Sequence, residues 1–281
     1  MATPSFTTTN LSTGAGPVLL SVPHAGRCYQ SALIEQLRVP LAAVMSLEDR
    51  YADCLADNAR ASGFPVITAL TPRLAIDLNR APDDLDRSMI LGGIQNGTPS
   101  SAKARAGLGL IPTRLWGVGP LWRDPVDRDT IASRLRDIHL PYHHAVSRAL
   151  IGAQQHWGSA MLIDLHSMPP IAGDDPPDIV IGDCFGKSCT ARLTAIAETL
   201  FSAAGLRVAV NVPYAGGYIA SRHGRPDSHF YALQIEVDRR LYLDDALDEP
   251  AAGLARMQRL ILMLAETFRN ELMPRVAAAA E

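Results

Sequence analysis

Two histidines stand in the same local setting. Val18-Leu19-Leu20-Ser21-Val22 runs into Pro23-His24-Ala25-Gly26, and Ala160-Met161-Leu162-Ile163 runs into Asp164-Leu165-His166-Ser167. Each is an apolar run of strand length closing on an imidazole, and strand ends are where layered α/β enzymes assemble their chemistry. Two such imidazoles point to one metal ion. A third donor is sought among the acids of Leu47-Glu48-Asp49-Arg50-Tyr51-Ala52-Asp53 and Asp57. Asp49, Asp53 and Asp57 recur every fourth residue and would share one helical face, where like charges repel. Acids in a first helical turn also complement the helix dipole, which accounts for at least one of them. A cation beside Asp49 would relieve the repulsion at the amino-terminal end. His24, Asp49 and His166 are therefore the expected ligands of Zn2+, or another divalent metal, with one position left open for water.

A proton acceptor is expected from Tyr231-Ala232-Leu233-Gln234-Ile235-Glu236-Val237-Asp238. Period-two alternation puts Gln234, Glu236 and Asp238 on one face and Leu233, Ile235 and Val237 on the other. A half-exposed strand reads the same way. Inside a helix-covered sheet, however, an acid there needs a partner or a function, and Glu236 is assigned as general base. Asp77-Leu78-Asn79-Arg80 closes another apolar run; the Arg80 fork matches a carboxylate and the Asn79 amide adds a hydrogen bond, which indicates an acidic small-molecule substrate. The bland alternative is Arg80 paired with Asp84 or Asp86. In Tyr214-Ala215-Gly216-Gly217-Tyr218 and Ser221-Arg222-His223-Gly224, Gly217 would let a ligand approach closely, Arg222 would hold a second carboxylate and His223 would donate to a developing oxyanion.

The elements that must carry these residues alternate. Strands are expected at Val18–Val22, Pro65–Leu70, Leu74–Leu78, Ala160–Leu165, Ile179–Ile181, Val208–Val212 and Tyr231–Val237. Helices are expected at Leu41–Ala61, Asp129–His156 with a kink at Pro141, Ser188–Ala204 and Ala251–Met273. This pattern predicts a three-layer α/β fold: a mixed, mostly parallel central sheet flanked by helices. Pro82 to Pro125 has no clear periodicity and reads as loops over the site. The Ala277–Ala280 run is low in complexity.

At 281 residues and 47% apolar content the chain supports a sizeable core, and the absence of a linker-like stretch favours one domain. A net charge of -3 with interspersed basic residues gives no phosphate-binding face, so nucleic acid is not expected. Met1 to Asn10 lacks a signal-peptide pattern and no run approaches the roughly 18 apolar residues of a membrane span, so a cytoplasmic protein without a membrane partner is expected. Cys28, Cys54, Cys184 and Cys189 are scattered and read as reduced thiols.

Taken in order, Ser21-Val22-Pro23-His24-Ala25-Gly26, Asp49-Arg50-Tyr51-Ala52-Asp53, Asp77-Leu78-Asn79-Arg80-Ala81-Pro82, Pro141-Tyr142-His143, Asp164-Leu165-His166-Ser167-Met168, Gly216-Gly217-Tyr218 and Gln234-Ile235-Glu236-Val237-Asp238-Arg239-Arg240-Leu241-Tyr242 resemble the N-formylglutamate amidohydrolases. The resemblance extends from about Gly16 to Met273. It implies a zinc-carboxypeptidase-like fold and hydrolysis of N-formyl-L-glutamate to formate and glutamate, a step in one route of histidine degradation. Zinc carboxypeptidases take two ligands from an H-x-x-E run, but Arg27 stands three after His24 and cannot coordinate. The family's later acid matches Asp49, with Glu48 and Asp53 as competitors. Asn79-Arg80 looks like the substrate-carboxylate clamp, Glu236 like the base, and His143 would reach the substrate or its surroundings. His139 and His144 read as satisfied helix histidines, and Asp164 as the group that orients His166. Two rivals remain: a metallohydrolase of another N-acyl amino acid or peptide, and a non-catalytic acid-binding protein on the same scaffold.

Overall fold

The computed structural model describes residues 4–11, 16–92 and 99–274; the Ala277–Ala280 run and part of the Pro82–Pro125 segment lie outside the described residues. The central sheet is formed by β1 (Phe6–Thr9), β2 (Val18–Val22), β3 (Val66–Ala69), β4 (Ala160–Met168), β5 (Ile179–Gly182), β6 (Val208–Val210) and β7 (Phe230–Asp238), in the order β1-β3-β2-β4-β7-β5-β6. β1 is antiparallel to β3 and β5 to β7; the remaining pairs are parallel. The expected mixed, mostly parallel sheet flanked by helices is what forms. β2, β3, β4 and β7 run the same way, so their carboxyl ends meet along one edge.

Both faces of this sheet are covered. On one, Val18, Leu20, Ile163, Leu165, Ile235 and Val237 pack with Met257, Ile261, Leu264 and Phe268 of the helix Leu254–Leu272, whose apolar residues recur at helical spacing. On the other, Leu19, Ile67, Leu162 and Ala232 meet Tyr142, Val146 and Leu150 of the helix Leu140–Trp157. Burying each large apolar side chain stabilises the fold by about 1.5–3 kcal/mol. This second face changes character halfway along the strands. Alternation continues Leu19 to Ser21, Leu162 to Asp164 and His166, and Ala232 to Gln234 and Glu236, so the amino-terminal half of the face is core and the carboxyl-terminal half is polar.

Three expected elements are corrected. Leu74–Leu78 is a series of turns, not a strand: Leu74, Ile76 and Leu78 are buried, but by packing, and the Asp77 amide donates to Leu110 rather than to a sheet neighbour. The sheet position goes instead to Phe6–Thr9, whose three threonines give an edge strand little apolar signal. Leu41–Ala61 is not one helix; Leu41–Val44, a 3-10 turn at Met45–Leu47, Ala52–Leu55 and Asp57–Ala61 are separated by an extended Glu48 and a left-handed Tyr51 (φ 53°). The stripe of Asp49, Asp53 and Asp57 therefore does not form. Asp53 pairs with Arg27 and Asp57 with Arg60 instead. Before Pro141 the helix does not simply kink: Leu135–His139 widens into a π turn between Arg128–Arg134 and Leu140–Trp157.

Much of the segment over the sheet edge is packed. Leu85, Ile90, Leu110, Leu121 and Trp122 join Leu37, Leu47, Leu74 and Ile76 in an apolar cluster of their own.

Candidate active site

At the shared strand edge lies a cavity of about 280 Å3. His24 reaches it two residues beyond β2. Asp49 reaches it because its amide donates to the His24 carbonyl (3.0 Å), which staples the two segments together. His166 and Glu236 are direct register partners on the adjacent parallel strands β4 and β7, and so emerge side by side on the polar half of the face.

Among the described residues His24, Asp49 and His166 form the group able to share a cation: one ligand atom from each lies within 4.8 Å of the others. His166 Nδ1 is 3.0 Å and His24 Nδ1 3.5 Å from the same oxygen, Asp49 Oδ2. The opposite nitrogens are held by buried carboxylates, His24 Nε2 by Asp77 (2.7 Å) and His166 Nε2 by Asp164 (2.9 Å). A carboxylate behind each ring fixes the N–H on Nε2 and leaves the Nδ1 lone pair for a metal, the arrangement that orients histidine ligands. His24 Nδ1 is fully buried without a hydrogen-bond partner. A buried acceptor left unmatched in this way fits a donor set made for a cation. Asp77 thus does more than hold its own turn: its Oδ1 accepts from both His24 and the Asn79 amide, and its Oδ2 from Arg73.

The charges follow from these contacts. Burial disfavours ionised Asp49, but its hydrogen bond to His166 and the close approach of the His24 ring outweigh this and hold it well below the usual carboxylate range. Burial likewise disfavours protonated His166, and Asp164 and Asp49 overcome it, so its pKa lies well above the ordinary imidazole value. A proton shared between Asp49 and His166 occupies the place a divalent cation would take. For Glu236, burial raises the carboxyl above its ordinary value, His166 pulls it down and Asp49 pushes it up. Glu236 Oε1 accepts from Gln234 (2.7 Å).

The competing acids are engaged elsewhere. Glu48 binds Tyr29 and Arg50 (3.0 Å), while Asp53 takes a two-pronged pair from Arg27 at 3.0 Å on each arm.

Asn79, Arg80 and Gly217 also line the cavity. The Asn79 side chain braces the site: Oδ1 accepts the Ile219 amide (2.8 Å) and Nδ2 donates to Gln234 (3.1 Å). Its other N–H stays available, because the neighbouring His166 Nε2 is itself a donor to Asp164. Gly217 lies against this amide so closely that a Cβ would fall 2.2 Å from Asn79 Oδ1. Arg80 is anchored through Nε to the Leu108 carbonyl (2.9 Å), and no pairing with Asp84 or Asp86 forms.

The structure leaves His143, Arg222 and His223 outside this cavity. His143 is wholly buried, donating through Nε2 to the Leu78 carbonyl (2.9 Å) and meeting His223 Nε2 through Nδ1 (3.0 Å). Arg222 is exposed and bonds the Tyr218 hydroxyl (2.7 Å). None of the three expected substrate or oxyanion groups lines the cavity that holds His24, Asp49 and His166. Together with His139, which bonds the Arg80 carbonyl (3.0 Å), His143 holds the Leu78–Arg80 backbone in place.

Four polar cavity residues carry no role in the sequence reading: Arg73 and Lys103, which no motif includes, and Tyr214 and Arg239, which stand inside motifs. Arg239 donates to Ser167 Oγ (3.2 Å) and the Glu48 carbonyl and lies 3.7 Å from Asp49. Arg73 and Tyr214 sit in turns or loops, and Lys103 and Arg239 in helices of one turn, where no periodicity marks the side that faces inward.

Among the described residues no helix is long and apolar enough to cross a membrane. The family model for N-formylglutamate amidohydrolase matches residues 16–243. N-formylglutamate deformylases of Pseudomonas aeruginosa and Pseudomonas putida are 29% and 30% identical to the chain, each alignment covering 83% of this chain and 84% of the relative. The crystal structure of an N-formylglutamate amidohydrolase from Ralstonia eutropha superposes with a TM-score of 0.89 at 29% identity, covering 96% of this chain and 99% of that one. With that match spanning the sheet edge and each of the buried donors, the chain belongs to the N-formylglutamate amidohydrolase family.

Proposed function

We propose that this protein is a metal-dependent amidohydrolase that cleaves N-formyl-L-glutamate, a small acidic molecule, to formate and glutamate in the cytoplasm. The observation that carries this reading is the convergence of two imidazole Nδ1 atoms on one Asp49 oxygen, each ring backed by its own carboxylate, with Glu236 alongside. The relatives named for the same reaction support it. His24, Asp49 and His166 would hold zinc or another divalent cation. When bound, such an ion supplies Lewis acidity to the amide carbonyl and acidifies water to a pKa of about 7.

The chain's own groups do the rest. Glu236, with Oε1 fixed by Gln234, keeps its second oxygen for the proton of the attacking water. The water oxygen bonds to the formyl carbon, the carbon–nitrogen bond breaks, and Glu236 returns the proton to the departing nitrogen. Arg80 holds a substrate carboxylate, helped by the remaining Asn79 N–H. The cations lining the cavity outnumber Asp49 and Glu236, as a doubly anionic substrate requires.

Formate release from N-formyl-L-glutamate tests this directly. Metal-loaded protein is expected to be active and chelator-treated protein inactive until metal is returned; activity in a verified metal-free sample contradicts the metal role. Glu236→Gln is expected to lower kcat by about 10²–10⁴-fold with metal content unchanged, the range for a lost general base. Near-normal turnover contradicts its role.

A further inference from the structure

The cations around the cavity are not equivalent. Arg73 is spent on Asp77 (Nε–Oδ2 2.8 Å), Arg239 on Ser167 and the Glu48 carbonyl beside Asp49, and Arg80 is fixed through its Nε to the Leu108 carbonyl. Lys103 alone of the four has no hydrogen bond or ion pair from its ammonium group among the described residues. Its position is nevertheless specified. The short helix Ala102–Arg105 that carries it is capped by Ser101, and Ser101 is tied by its amide and hydroxyl to Asp84 (2.9 Å each). The Leu108 amide donates to the Lys103 carbonyl (2.8 Å), while the Leu108 carbonyl accepts from Arg80. One residue therefore clamps Lys103 and Arg80 side by side.

Such an arrangement is costly without a ligand. Partial burial, and then the charges of Arg80 and Arg73, lower the Lys103 ammonium below its ordinary value, against the opposing pull of Asp77 and Glu236, so three like charges share a cavity whose acids do not fully offset them. An anion entering the cavity removes that repulsion. Leu108 and Leu115 line the same cavity and provide an apolar wall for methylene groups. An apolar wall beside a free ammonium, next to a guanidinium that holds another carboxylate, matches a short chain with an acid at each end.

We infer that Lys103 binds the side-chain carboxylate of the substrate and sets the preference for a dicarboxylic amino acid, with Arg80 holding the other carboxylate. This rests on the hydrolase reading for the substrate class but not for the charge recognition itself. A lysine serves here as a point charge that tolerates different carboxylate orientations.

The test compares kcat/KM for N-formyl-L-glutamate and N-formyl-L-glutamine, which differ by one charge at nearly equal size. In Lys103→Met the glutamate-to-glutamine ratio is expected to fall at least about 10-fold, chiefly through the KM of the doubly charged substrate, the equivalent of losing one hydrogen bond to a charged group. Lys103→Arg is expected to keep most of the preference. A wild-type ratio in Lys103→Met overturns the inference. Calorimetric binding of glutarate and 4-carbamoylbutanoate to the metal-loaded protein separates it from the catalytic reading. If wild type cleaves neither formyl compound yet loses its glutarate preference on Lys103→Met, the hydrolase reading falls and the Lys103 assignment stands. Equal preference in both proteins overturns the assignment.

Discussion

Replacing His143 and His223 by glutamine is expected to flatten the loss of stability that the metal-stripped protein suffers on mild acidification. The Leu78 carbonyl can only accept, so His143 carries its proton on Nε2; its Nδ1 then accepts from His223 Nε2–H, and His223 Nδ1 is left for the Ser147 hydroxyl at 3.5 Å. A proton added to either ring puts charge in a buried site facing Arg222 and, for His223, Arg225. Burial first, and then His139, His223 and Arg222, push His143 down to about 2; burial first, and then Arg222 and Arg225, push His223 down to about 3. An unfolded histidine titrates near 6.5. Both folded values lie below it, so the stabilisation is fully present above pH 6.5 and is lost as the pH falls from there toward 3. At pH 5.5 both folded rings are still neutral, while each unfolded ring has taken up a proton. Between pH 7.5 and 5.5 that linkage amounts to about 1.4 kcal/mol per histidine, about 2.7 kcal/mol for the pair. Urea unfolding followed by tryptophan fluorescence at the two pH values, with chelator present, reads it. Wild type is expected to lose about 2.7 kcal/mol more than the double variant over this interval, and His223→Gln alone to recover about half. Contributions from every other titrating group cancel in the difference. Equal losses in wild type and the double variant refute the neutral pair.

Two further outcomes follow from the site. Asp164→Asn keeps an acceptor for His166 Nε2–H and presents its amide to Ser21 Oγ, 3.0 Å from the original Oδ1, but deletes the charge; metal affinity measured by chelator competition is expected to weaken roughly 10–100-fold, and an unchanged affinity contradicts the orienting role. Gly217→Ala drives a Cβ into the Asn79 amide; a cost of about 1–3 kcal/mol in urea unfolding and a raised KM are expected, and wild-type values for both contradict the close packing.

The strand-borne half of the site was legible because β2, β4 and β7 announce themselves as apolar runs and the polar interruptions His24, Asp164, His166 and Glu236 stand where alternation breaks the core pattern. The loop-borne half was not. Leu74, Ile76 and Leu78 alternate as a strand does, yet the alternation is satisfied by an apolar cluster formed among loops, which sequence periodicity cannot tell from a sheet face. The four-residue spacing of Asp49, Asp53 and Asp57 suggested one helix, and a left-handed Tyr51 breaks it. Asp49 still comes to lie beside both imidazoles without that helix, because its amide is bonded to the His24 carbonyl. Arg73 and Lys103 carry no local mark of function; what singles them out is the direction in which the folded loops present them.

The two sets of side chains rest on separate foundations. His166 and Glu236 stand on the sheet and His24 just past the end of a strand, whereas Arg80 belongs to a turn and Lys103 to a short helix beside the cluster of Leu85, Leu110 and Trp122. If Lys103 reads the second acid, drift in that outer body would retool which acid is admitted while leaving His166 and Glu236 on their strands.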